Sequence, residues 1–154
     1  MSLKALALSL LLGLALSGCS PSTAETSLPG VTVHKSESCG CCKIWVDRLR
    51  DAGFPVDVRN EDNLNAVKQR VGIPYGMGSC HTAEVEGYFV EGHVPVEDIK
   101  RLLRERPDAK GLTVPGMPAG SPGMEVPSGQ VQPYEVLLVA KDGSTSVWSR
   151  HGSK

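Results

Sequence analysis

Between Val31 and Ala52 the chain runs from a short apolar segment, Val31-Thr32-Val33-His34, through a Cys-Gly-Cys-Cys run, into an amphipathic helical pattern. Ile44, Trp45, Leu49 and Ala52 recur at helical spacing, and Gly53 supplies a stop, so the helix starts at or inside the Cys run. A strand that feeds a helix through so short a loop commits the chain to α/β packing and puts Cys39, Cys41 and Cys42 at a helix N-terminus. The positive end of the helix dipole favours thiolate there. Cys80 adds a fourth sulfur on a later loop. Four soft sulfurs suit a soft metal or redox chemistry.

The pattern continues with a strand over Pro55–Arg59 and a helix over Leu64–Val71 closed by Gly72. Thr82–Val85 and Tyr88–Val90 read as two strands joined tightly at Gly87. Pro95 opens a third helix with acids in its first turn, Ile99, Leu102 and Leu103 face inward, and Pro107 ends it. This β-α-β-α-β-β-α order is that of a thioredoxin-like domain, with the Cys run where that fold carries its redox Cys pair. Asp108 to Pro133 shows no periodicity and fills with Gly and Pro. Because Tyr134–Ala140 and Ser144–Trp148 then form a hairpin around Asp142-Gly143, the Gly/Pro stretch is expected to be an ordered loop wrapped on the domain. The expected fold class is α/β: a thioredoxin-like domain over residues 31–150, with a long Gly/Pro-rich loop and a C-terminal β-hairpin. Trp45, Tyr88, Phe89 and Trp148 are expected in the core or on a sheet face.

Residues 1–18 read as an export signal, with Lys4 ahead of the apolar run Ala5 to Leu16, too short to span a bilayer. Leu16-Ser17-Gly18-Cys19 resembles a bacterial lipobox, which makes Cys19 the lipid-attachment site and residue one of a lipoprotein. Ser20 resembles the residue that directs such proteins to the outer membrane. The expected location is the periplasm, an oxidising compartment in which unoccupied thiols pair. Residues 19–30, rich in Ser, Thr and Pro, form a flexible tether. Cleavage takes eighteen of 154 residues and one of 16 basic residues, leaving 136 residues with 15 basic against 17 acidic groups, a formal charge of −2. That is one domain's worth of chain. Such a balance gives no nucleic-acid surface and leaves the lipid as the only membrane contact.

Cys39 and Cys42 have Cys-x-x-Cys spacing, which permits dithiol exchange, although Cys41 between them offers competing disulfides. Four-thiolate zinc sites draw ligands from two spaced knuckles, which three Cys in four positions do not supply. Sulfurs that diverge from one helix start bridge several ions more easily than they converge on one, and thiolate selects Cu(I). Two structural disulfides would lock little chain at this spacing.

Cys39-Gly-Cys-Cys-Lys43, Ser79-Cys-His-Thr-Ala83, Gly87-Tyr-Phe-Val-Glu-Gly-His-Val-Pro95 and Gly111-Leu-Thr-Val-Pro-Gly-Met-Pro-Ala-Gly-Ser-Pro-Gly-Met-Glu125 together resemble the CopG family of periplasmic copper-resistance proteins. The resemblance implies a thioredoxin-like fold and a polynuclear Cu(I)-thiolate cluster, a tetranuclear one among the candidates, on Cys39, Cys41, Cys42 and Cys80. It also implies copper ions as the bound partner and periplasmic copper-efflux or copper-carrier proteins as protein partners. The role is sequestration, relay or Cu(I)/Cu(II) cycling; the competing role is thiol-disulfide or copper oxidoreduction at the same sulfurs.

Around these ligands, Met77, Met117 and Met124 are candidates for outer thioether contact, against a gap-filling role. His81 would point away from Cys80 in a regular strand, so a supporting role is expected unless the chain bends there. His34 is a neighbour at the end of the first strand, and Lys43 is placed to offset thiolate charge. His93 reads as a turn residue.

Overall fold

The computed structural model describes residues 27–152. The export signal 1–18, Cys19 and the tether as far as residue 26 lie outside them. Among the described residues no helix is long and apolar enough to cross a membrane. Seven strands and three helices follow one another as β1 (Val31–Lys35), α1 (Gly40–Asp51), β2 (Val56–Asn60), α2 (Leu64–Val71), β3 (His81–Val85), β4 (Tyr88–Glu91), α3 (Val96–Glu105), β5 (Ala109–Thr113), β6 (Tyr134–Ala140) and β7 (Thr145–His151).

All strands share one mixed sheet in the order β2-β1-β3-β4-β5-β6-β7. β1 pairs in parallel with β2 and antiparallel with β3, β3 and β4 form a hairpin, and β4 pairs in parallel with β5. The C-terminal hairpin β6–β7 extends the same sheet antiparallel to β5. One cluster gathers Trp45, Val46 and Leu49 of α1, Ile99 and Leu102 of α3, and Val31, Val33, Val85, Val90 and Leu112 of the strands. Each such side chain fully removed from water contributes about 1.5–3 kcal/mol. Leu28, which the sequence reading puts in the tether, packs against this cluster.

The helices start and stop as the local chemistry requires. α1 has Cys39 at its N-cap in extended conformation, with no side chain capping the first turn, which leaves its amide dipoles facing the sulfurs. In α2 the Asn63 side chain accepts the Ala66 N–H, and Gly72 ends the helix in the left-handed region.

One expectation is corrected. The stretch taken as loop from Asp108 begins with strand β5, which links the N-terminal strands to the C-terminal hairpin. Gly111 hides it, since a glycine in a segment bounded by Pro107 and Pro115 reads as loop. The backbones here approach so closely that a Cβ on Gly111 would lie 2.0 Å from the Phe89 carbonyl oxygen. The remainder is an ordered irregular loop, closed on itself by Gly120 N–H to Met124 O at 2.7 Å and Gln132 N–H to Ala119 O at 2.9 Å.

Candidate metal centre

The strand-to-helix turn after β1 and the turn into β3 meet, and the Sγ atoms of Cys39, Cys41, Cys42 and Cys80 all lie within 4.8 Å of one another. The first three ride on the start of α1; Cys80 is carried by the residue before β3. Cys42 is fully buried, the other three partly. The Cys-x-x-Cys pair closes: Cys39 and Cys42 form a disulfide, and Cys41 and Cys80 are free. Cys41 Sγ lies 3.6 Å from Cys39 Sγ, and Cys42 Sγ lies 3.7 Å from the Cys80 carbonyl oxygen. Burial, reinforced by the neighbouring Cys41, pushes the Cys80 thiol up to about 11, so this sulfur carries a proton at neutral pH.

Two carboxylate contacts hold the Cys80 turn. Glu91 of β4, fully buried, accepts the Ser79 N–H at 2.5 Å and the Thr82 hydroxyl at 2.6 Å, and pairs with Lys68 of α2. A buried carboxylate is stable only when so surrounded. The Cys80 turn is thereby fixed from both sides in sequence.

His81 and His93 close the other flank. Cys80 Sγ lies 3.3 Å from His81 Nδ1 and 3.1 Å from His93 Nε2. The chain bends at Cys80 before the strand begins, which brings the two neighbouring side chains together against the alternation expected in a regular strand. His93 donates its Nδ1–H to the Pro122 carbonyl at 2.9 Å, which turns the unprotonated Nε2 towards Cys80. Burial, then the nearby His93 and Lys68, pushes His81 down to about 3; burial also lowers His93. Both rings are neutral at physiological pH.

A family model described as "Protein of unknown function, DUF411" matches residues 77–124. No curated protein matches the chain. Among solved structures, "Copper resistance protein copG- Form 1" is 46% identical, with TM-score 0.77, and the match covers 82% of this chain and 99% of that one. Its "Form 2" is 47% identical over 80% of this chain and 98% of that one, with the same TM-score. The chain belongs to the CopG family.

The sequence-predicted residues scatter more widely around the centre of this CopG-family domain than the motif suggests. His34, expected as a neighbour of the Cys turn, directs its ring nitrogens to Glu61 at 2.7 Å and Glu84 at 3.0 Å. Lys43 is exposed and paired with Asp47 at 2.6 Å, one helical turn on. Met117 is half exposed on the irregular loop. Met124 is half-buried and follows Gly123, whose backbone packs on the first turn of α1. Met77 is half-buried, its carbonyl accepting the Thr113 hydroxyl at 2.7 Å.

His93 is the residue that sequence reading assigned elsewhere. The hairpin register pairs Thr82 with Glu91 and Ala83 with Val90; continued outward, it sets His93 opposite Cys80. That pairing was available from the tight turn at Gly87 and was the signal for His93.

Proposed function

We propose that this protein binds copper in the periplasm as part of copper resistance, tethered by a lipid on Cys19, and that Cys39, Cys41, Cys42 and Cys80 hold several Cu(I) ions in a thiolate-bridged cluster. The observation that carries this reading is the convergence of four Sγ atoms within 4.8 Å, from two turns separated by 38 residues. Thiolate is soft and bridges Cu(I), and four sulfurs at such separations are too many and too close for packing alone. Copper is cargo here. Its uptake requires the Cys39–Cys42 disulfide to be reduced, since a disulfide sulfur is not a thiolate ligand. The scaffold reading is a thioredoxin-like unit from β1 to α3, supported by the strand order β2-β1-β3-β4 with β1 and β2 parallel and β3 and β4 antiparallel. Periplasmic copper-efflux or carrier proteins are the proposed exchange partners.

A second reading, thiol-disulfide or copper oxidoreduction, draws support from the Cys39–Cys42 disulfide with free Cys41 beside it. The attacking group would be the Cys41 thiolate, whose Sγ lies 3.6 Å from Cys39 Sγ.

Anaerobic Cu(I) titration of the reduced chain from residue 20 onward separates the two. Binding of more than two equivalents with loss of all four free thiols supports the cluster. One equivalent, or Zn(II) held more tightly than Cu(I), overturns it. Strong reduction of insulin disulfides that survives Cys80→Ser favours exchange chemistry. Membrane fractionation of full-length protein against Cys19→Ser tests the anchor.

A further inference from the structure

Helix α2 is fastened to the sheet mostly by charge. It buries Val67 alone, whereas α1 buries Cys42, Trp45, Val46 and Leu49. Its other holds are polar: Lys68 donates to Thr82 Oγ1 at 3.0 Å and pairs with Glu91, and Arg70 forks onto the Glu84 carboxylate at 2.8 and 3.0 Å. An element with so little apolar contact opens at a lower free energy than its neighbours.

We propose that His34 is a proton-operated latch for α2: with both ring nitrogens protonated it fastens the two ends of the helix, and as the ring loses a proton with rising pH, α2 and the Cys80 turn that α2 braces become loose.

The geometry of the ring carries this. His34 of β1 is buried, with Nδ1 2.7 Å from Glu61 Oε1 and Nε2 3.0 Å from Glu84 Oε1. Glu61 stands two residues before the Asn63 N-cap of α2, and Glu84 of β3 holds Arg70 in the last turn of that helix. A neutral imidazole has one N–H and one lone pair, so it can donate to one of these carboxylates only and turns a lone pair on the other. The imidazolium satisfies both.

The remaining charges around the ring leave that bridge in place. Arg70 chiefly, opposed by burial and helped by His34, holds Glu84 below the usual carboxylate value. Arg59 of β2, level with His34 in the register, is paired with Asp57 at 3.2 Å. Thr82, level with it on β3, is uncharged.

When the ring is neutral, Glu84 still has Arg70, so the contact given up is the one to Glu61. The turn into α2 then lacks its side-chain tie. Lys68 moves with the helix, and it is the partner of the Glu91 carboxylate that takes the Ser79 N–H ahead of Cys80. The sense is opposite to that of His81 and His93, whose burial favours the neutral ring.

The test is hydrogen exchange by mass spectrometry on the metal-free full chain at about pH 5 and about pH 8, a window in which histidine changes charge, with rates corrected for the intrinsic pH dependence of amide exchange. Between these, protection of the α2 amides and of the Ser79 amide is expected to fall at least about fivefold more than that of α1, a modest factor for a charge-assisted hydrogen bond because both acceptors keep access to water. In His34→Gln, whose side chain does not titrate, that excess should vanish. No excess in the unmutated protein, or the same excess in His34→Gln, overturns the proposal; loosening of α2 while Ser79 keeps its protection overturns the link to the Cys80 turn. Should the variant fail to fold by circular dichroism, nitrogen NMR of the unmutated protein decides. Two protonated nitrogens on His34 at about pH 5 and one at about pH 8 support the latch, and a ring with the same charge at both sinks it. Because no metal is present, failure of the copper reading leaves this result standing.

Discussion

The buried Glu91 carboxylate accepts the backbone N–H of Ser79 at 2.5 Å, one residue before Cys80. Because the same carboxylate also takes the Thr82 hydroxyl and the Lys68 ammonium, it ties the turn that carries Cys80 to the sheet and to α2. Hydrogen bonds to a charged group contribute about 1.5–3 kcal/mol each, and breaking a buried pair leaves its partner uncompensated. Lys68 retains some access to water, which reduces that penalty.

Glu91→Ala is therefore expected to lower unfolding stability by about 3 kcal/mol, read from urea denaturation. Glu91→Gln, which keeps an acceptor for Ser79, should lose less. In both, Cu(I) stoichiometry of the reduced protein should fall more than in a surface variant of equal stability loss, because the Cys80 turn is no longer held.

The disulfide sets a redox condition on loading. With Cys39 and Cys42 joined, only Cys41 and Cys80 are free among the described residues, so oxidised protein should bind fewer Cu(I) ions than reduced protein does. Thiol-free reductant should restore full uptake. The stability change on reduction should be small, about 2 kcal/mol for so short a loop, so calorimetry should show a folded reduced domain. Equal Cu(I) uptake before and after reduction would contradict the thiolate requirement.

Acid should destabilise the apoprotein through His81. Its pKa falls from 6.5 to about 3 on folding, first by burial and then by the nearby His93 and Lys68. The unfolded chain takes up the proton near 6.5, the native state only near 3. The stabilisation is therefore fully present above about pH 6.5 and is lost as pH falls towards 3. The slope approaches about 1.4 kcal/mol per pH unit for one such group. Urea midpoints between about pH 6.5 and 5 separate this effect from the carboxylates, because Glu84 and Glu125, whose pKa values are lowered from 4.5, contribute only below that range. His93, lowered in the same sense, should leave a residual slope in His81→Phe.

Most of the fold was legible because periodicity and stop signals are local. The helix over Leu64–Val71 and the strand over Tyr134–Ala140 carry the bounds read from sequence, as Gly72 and Asp142-Gly143 enforce their ends. β5 was missed because its identity depends on neighbours: Ala109–Thr113 is a strand because β4 and β6 flank it. The four sulfurs were legible from spacing and the way the elements must pack. Their oxidation was not, since Cys39 and Cys42 could pair or stay apart at the same spacing. His34 and Lys43 were placed near the centre by sequence distance; Glu61 and Glu84 draw off His34, and Asp47, one turn along the same helix, draws off Lys43. His93 went unassigned because a hairpin partner, 13 residues on, sets its position.

The Gly/Pro loop packs through Gly123 against the start of α1, beside the sulfurs. Gly123 has φ of +91°, and a Cβ there would lie 2.9 Å from the Cys41 carbonyl oxygen and 3.2 Å from the Trp45 backbone nitrogen. Both atoms belong to the first turns of α1, which cannot retreat because the Trp45 indole N–H is bonded to the Val94 carbonyl at 2.9 Å in the core. Gly123→Ala combines a backbone conformation that L residues avoid with a backbone clash, so it should destabilise by about 1–3 kcal/mol. The loop should yield before the helix does, lifting Pro122 away from His93, whose Nδ1–H it accepts. Cys41 and Cys80 should then react faster with a thiol reagent, while circular dichroism stays native. Gly129→Ala on the same loop, where φ is +68° and nothing lies within 4 Å of the added Cβ, bears the conformational strain alone. It should leave both thiol rates unchanged.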